Sequence, residues 1–362
     1  MLKKFFATFL CVCLSFTAKA GEIDTIKACM QIEHEAFLIW LAKEKGWDKQ
    51  IDLNIDLNVT DQSGLEIVSE HKTDNKYFDI CAIGALPSMI GCNENELEVV
   101  AIANNEAKSN EILVRADSDL LSVKGWNESY PDVYGSPETI TGKVFFAKRL
   151  THASYLIARW LDLFYMNISD ISLKNMNNYN AIDAMDAGHG DAMSIWAPEC
   201  NEAEHKGYKK IVDLDQLGKV VPIDLVADVQ FAKENPKTVA KFIAVYMRAV
   251  DYAKKKGNDL ADDFMRFMKT YNPDLRPEFT KRVAEMTLER AQPYTYEESL
   301  KLFSKKNGAN EAQKIHMEFS NYFILKGFIH FDVLKHIKYA RYINDDYLLQ
   351  AKEYYERTKD KD

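Results

Sequence analysis

From Thr25 to Glu106 strand and helix patterns alternate without a break, and this order constrains the fold more than any single residue does. TIKACMQ (25–31) reads as a strand and runs into the helix HEAFLIWLAKEKGW, which Gly46 should stop. IDLNIDLNV (51–59) is apolar at every second position, the pattern of a strand with one wet face, as at a sheet edge. Ser63 and Glu66 form a capping-box pattern that opens the next helix. YFDICAIG (77–84) is a continuous apolar strand, ALPSMIG a short helix and LEVVAIANNE (97–106) another strand. Strands separated by helices imply a mainly parallel sheet, because each return must cross over it.

The pattern then begins again. EILVRAD (111–117) is extended with no clear helix before it. GKVFFAK, THASYLIARWLDLF, SLKNM, Ala181–Ala187, DAMSIW and KKIVDL read as a second strand–helix series. VVPIDLVADV is extended, and ENPKTVAKFIAVYMRAVDYAKKK is a long helix with Pro236 near its first turn. From there to Asp362 the chain reads as helical, broken at Pro273, Pro277 and Pro293. Two α/β lobes, the second flanked by two extended crossovers, are the expectation. Residues 21–116 form the first part of lobe one, 117–221 lobe two, and 222–362 the return to lobe one with C-terminal helices. In such sheets ligands sit beyond the carboxyl ends of the strands, which here face a cleft.

Residues 1–20 stand apart. MLKK is cationic, FFATFLCVCLSF is apolar, and Ala18-Lys19-Ala20 is a small-x-small end, so 1–20 read as a secretory signal peptide. The apolar run is shorter than the roughly 20 residues a spanning helix needs. A lipoprotein anchor at Cys13 would want a small residue where Val12 stands. The mature chain is therefore expected to be exported. The formal net charge of −9 argues against nucleic acid, which calls for a basic face. Cys29, Cys81, Cys92 and Cys200 remain after the leader, with no zinc-type spacing; Cys29 and Cys81 read as buried strand residues. No metal or cofactor is expected.

The chain resembles the periplasmic solute-binding proteins of ABC importers, in the branch that takes nitrate, sulfonates, taurine and thiamine-precursor pyrimidines. The residues that carry the likeness are CMQ with AFLIWLAKEKGW, YFDICAIGALPSMI, ETITGKVFFAKRLTHASYLI, NAIDAMDAGHGDAMSIWAPE and ENPKTVAKFIAVYMRAV, over roughly 25 to 250. The resemblance implies a type II two-lobed α/β fold that closes by hinge motion on a small solute. It also implies a permease partner in the inner membrane and a monomeric chain. Asp183 and Asp191 become structural marks, a carboxylate at a helix start and a turn before a strand.

By the same resemblance the ligand contacts are Gln31, Glu33 and His34, the turn Gly84-Ala85, Asn105 and Glu106, the helix start Thr151-His152-Ala153, and Trp196 with Glu199. Three helix starts would face the cleft, each able to hold an anionic or polar group. Glu33, Glu35, Glu106 and Glu199 outnumber Lys148 and Arg149, and Trp196 and Tyr155 are near. A bare oxyanion usually meets arginine. The acid excess favours an amine or a basic ring, and a zwitterion also fits; taurine and sulfonates stay within the family's range.

Two other classes compete. Pyrimidine- and menaquinone-pathway enzymes share the fold, but there is no Gly-x-Ser-x-Gly elbow, P-loop, His-Glu-x-x-His or cysteine cluster, and His152 has no evident acid partner. A sensor whose closure is read by a membrane receptor would carry the same cleft. The helical tail, rich in Tyr and Lys, is expected to pack on lobe one.

Overall fold

The computed structural model describes residues 23–74, 77–93, 96–304, 308–327, 330 and 340–361. The leader assigned to 1–20 lies outside them. The first half runs β1 (Asp24–Gln31), α1 (His34–Glu44), β2 (Leu53–Thr60), α2 (Gly64–Thr73), β3 (Ile80–Gly84), α3 (Ala85–Asn93) and β4 (Leu97–Asn105). Local signals account for their ends. Gly46 takes φ +67° just past α1. Ser63 N donates to Glu66 Oε2 at 2.7 Å, closing the capping box of α2.

The second half follows as β5 (Asn110–Val114), α4 (Pro137–Ile140), β6 (Val144–Ala147), α5 (His152–Asp162), β7 (Ser172–Asn175), α6 (Asn178–Asp186), β8 (Ala192–Trp196), α7 (Glu199–Lys206) and β9 (Lys209–Asp213). The chain then returns through β10 (Pro222–Asp228), α8 (Val229–Glu234) and α9 (Pro236–Lys256). Helix α6 begins three residues before the expected start, because Asn177 caps it by accepting from Asn180 N at 2.9 Å. Asp183 therefore sits inside that helix rather than at its start. Helix α7 was not expected at all.

Each half has its own five-stranded sheet, in the orders β2-β1-β3-β10-β4 and β7-β6-β8-β5-β9. The helix-connected strands β2, β1 and β3 pair in parallel, as do β7, β6 and β8. β10 is antiparallel to β3 and β4, and β5 to β8 and β9. The two extended segments thus become the fourth strand of each sheet. The reason is the crossing: a chain that leaves one sheet at its carboxyl edge enters the other at the same edge, so it must run back through it. β2 lies at the sheet edge, as its period-two pattern suggests.

The tail adds α10 (Ala261–Tyr271), α11 (Lys281–Arg290), α12 (Tyr296–Phe303), α13 (Glu311–Leu325) and α14 (Asp346–Thr358). Phe264, Phe267, Tyr296, Phe303 and Leu348 join the core of the first sheet. Phe319, Tyr322 and Phe323 of α13 instead join the core of the second. The tail therefore packs on both lobes rather than on lobe one alone. Among the described residues no helix is long and apolar enough to cross a membrane.

Candidate functional site

The carboxyl ends of both sheets meet at a cavity lined by Gln31, Glu33, Ser63, Gly64, Gly84, Pro87, Glu106, Asn110, Thr151, His152, Trp196 and Ile223. It holds about 380 Å³ of non-atom space, the open mouth included. β1, β3 and the start of α1 supply one wall; β5, β8 and the start of α5 supply the other. Two crossovers form its base. Asn105 Oδ1 accepts from Ala107 N at 3.2 Å and from Val221 N at 2.9 Å, so it pins the outgoing strand to the returning one.

Side chains from the two halves touch across this cavity. Trp196 Nε1 donates to Glu33 Oε1 at 2.7 Å. Gln31 Nε2 donates to the same oxygen at 3.2 Å. His152 Nδ1 lies 3.1 Å from Glu106 Oε2, and Asn110 Nδ2 donates to that oxygen at 3.4 Å. At the rim Lys148 Nζ reaches Glu66 Oε1 at 3.0 Å. A side-chain carbon on Gly84 would stand 3.0 Å from His152 Cε1, so glycine there lets the imidazole approach.

The electrostatics are acidic. Burial, then the charges of Glu106, Glu35 and Glu199, push the Glu33 carboxyl well above its ordinary range, and the Trp196 hydrogen bond offsets only part of that. Burial with Glu106 beside it raises Glu35 to about 8. Burial also raises Glu199, which accepts from Asn178 Nδ2 at 3.1 Å. Among the described residues no group of three or more His, Cys, Asp or Glu is placed to hold a metal ion.

Of the residues expected at the ligand, Gln31, Glu33, Gly84, Glu106, Thr151, His152 and Trp196 are brought together in the cavity wall. His34, Ala85, Asn105, Ala153 and Glu199 lie behind it. His34 is buried, and burial lowers its pKa to about 4, so it is neutral. Tyr155 does not line the cavity; it is fully buried and stacks on Phe319 at 4.5 Å. Asp183 binds Arg276 at 2.7 and 2.9 Å, and Asp191 accepts from Val144 N at 2.8 Å, so both have structural partners away from the cavity.

Ser63, Gly64, Pro87, Asn110 and Ile223 line the cavity without having been singled out as contacts. Ser63 was legible only as a helix cap. Asn110 and Ile223 sit on the two crossover strands, whose place in the sheets the sequence leaves open. The expected lack of an acid partner for His152 is corrected by Glu106. No nucleophile pair follows, because the Thr151 hydroxyl donates to Lys148 O at 2.8 Å.

A protein of Brachyspira hyodysenteriae named for the periplasmic binding component of an ABC transporter is 25% identical over 194 residues, 54% of this chain and 53% of its own length. The chain thus spans about half of that relative. A Bacillus subtilis protein named for binding aliphatic sulfonates is 23% identical over 258 residues, 70% of each chain. The alkanesulfonate-binding protein of Xanthomonas axonopodis pv. citri, solved with MOPS, superposes with a TM-score of 0.68 at 15% identity, covering 90% of this chain and 100% of its own, which establishes the shared fold. The NMT1/THI5-like family profile matches residues 33–259, well over half of the sequence, and the chain belongs to that family.

Proposed function

We propose that this protein is the exported solute-binding component of an ABC importer. It captures a small polar solute containing nitrogen or sulfur between its two lobes and presents it to a permease in the inner membrane. The lobes close by a hinge at the two crossovers, where Asn105 ties the strands. Lobe one is built on the first sheet and lobe two on the second, with most of the tail returning to lobe one.

The observation that carries this reading is the cavity itself. Both lobes line it, and a side-chain hydrogen bond from Trp196 to Glu33 spans it. A groove built from two bodies can open to admit a solute and shut to exclude water. The names of the Brachyspira and Bacillus relatives point the same way.

The test is native mass spectrometry of the chain isolated from the periplasm, before and after unfolding. One small molecule bound per chain, released on unfolding, is the expected result. A chain that carries nothing, and whose melting curve no cell metabolite extract moves, contradicts the reading.

A further inference from the structure

The hydrogen-bonding inventory of the cavity is one-sided. The amide, indole and hydroxyl groups of its wall each already give a hydrogen bond to the protein. Gln31 Nε2 and Trp196 Nε1 donate to Glu33, and Asn110 Nδ2 donates to Glu106 O and Oε2. The Ser63 hydroxyl donates to Glu66 Oε2 at 2.8 Å and the Thr151 hydroxyl to Lys148 O. The acceptors are left over. Asn110 is fully buried and its Oδ1 has no partner; His152 is 6% exposed and its Nε2 has none. In the tautomer that places the proton on Nδ1, towards Glu106 Oε2, that Nε2 is an acceptor. No hydrogen bond reaches Glu33 Oε2 or Glu106 Oε1 among the described residues.

Charge agrees with this inventory. Two carboxyl groups line the cavity and no Lys or Arg does. Lys148 stands at the rim, held by Glu66. An oxyanion would meet two acids without a guanidinium, and it would leave the buried Asn110 Oδ1 unpaired. A buried acceptor left unpaired is costly, so the missing partner should be a donor.

Resting on the binding-protein reading above, we infer that the solute is a small organic cation rich in N–H groups, an ammonium or amidinium, seated between Glu33, Glu106, Asn110 Oδ1 and His152 Nε2. Its body packs on Trp196, whose ring face also attracts positive charge. Sulfonates and nitrate are excluded, although one sequence relative and the superposed solved structure carry sulfonate names. Burial and the neighbouring acids hold the Glu33 carboxyl well above its ordinary range, and an arriving cation would favour its ionised form.

The experiment is a thermal-shift and calorimetric comparison of matched pairs on the unfolded-and-refolded, solute-stripped chain. Butylamine and benzamidine are set against butanesulfonate, benzenesulfonate and nitrate. Binding of the cations alone, weakened at least tenfold in Glu33→Gln, is the expected result. The glutamine keeps an oxygen for Trp196 and Gln31, so the variant removes the ionisable group while preserving the shape of the wall. Binding of the anions, or a Glu33→Gln variant with unchanged cation affinity, overturns the cation and leaves the binding protein standing. If neither series binds, the molecule captured from a metabolite extract decides. A nitrogen base supports the inference and an anion or neutral solute overturns it. No capture at all overturns both readings.

Discussion

At the residue scale Glu33 and Glu35 behave differently although they are two positions apart. Glu33 faces the cavity and takes the Trp196 N–H, whereas Glu35 is 2% exposed in the interior and its Oε1 has no partner. With a pKa of about 8 when folded, Glu35 holds a proton that the unfolded chain has already released above its ordinary range near 4.5. The folded state therefore binds more protons between about pH 4.5 and 8, and its stability falls as pH rises through that window. The slope from one such group is at most about 1.4 kcal/mol per pH unit. Glu35→Gln should flatten this fall for the solute-free protein, measured as denaturant midpoints from pH 5 to 8. An unchanged slope would show that Glu35 is ionised in the fold. The approach of Glu106 and Glu35 is a tertiary matter, so the sequence shows the acid excess but not which acids are buried.

At the element scale the strands and helices of the first 106 residues could be read because local signals agree with one another. Period-two apolarity marks β2, the Ser63–Glu66 box opens α2, and the unbroken apolar run over 80–84 marks a covered strand. Helix α7 escaped because CNEAEHK is too polar to show a stripe. Its punctuation was present all the same, with Pro198 before it, Glu199 and Glu202 in its first turn and Gly207 at φ +120° after it. The antiparallel sense of β5 and β10 could not be read, because it follows from where the chain crosses between sheets. The same holds for α13. Its His316 lies 3.2 Å from Asp224 of the first sheet, while Tyr322 donates to Asp162 of α5 at 2.9 Å. Phe319, 2% exposed, stacks on Tyr155 between these anchors. Phe319→Ala should cost about 3–5 kcal/mol in unfolding free energy, the range for removing a buried aromatic ring. A loss under about 1 kcal/mol would show that α13 is not part of the second core.

At the scale of the whole molecule two lobes meet through contacts that a solute could bias. The resemblance made the cleft legible from sequence, down to Trp196 and the starts of α1, α3 and α5. The acceptor surplus was not legible, because it depends on which protons are already engaged. At Gly84 the lobes approach closely, with His152 Cε1 3.0 Å from where a side-chain carbon would stand. Gly84→Ala should hold the lobes apart and weaken solute binding about tenfold, or about 1.4 kcal/mol. Calorimetry on the variant reads this directly; unchanged affinity would show that the lobes need not approach so closely.

The central claim is capture by closure, and small-angle X-ray scattering of the solute-free and solute-loaded chain tests it most directly. Loading should shrink the radius of gyration and the longest dimension, with the loaded profile matching the arrangement in which Trp196 reaches Glu33. Identical profiles for the two states, with binding shown in the same samples, would contradict it.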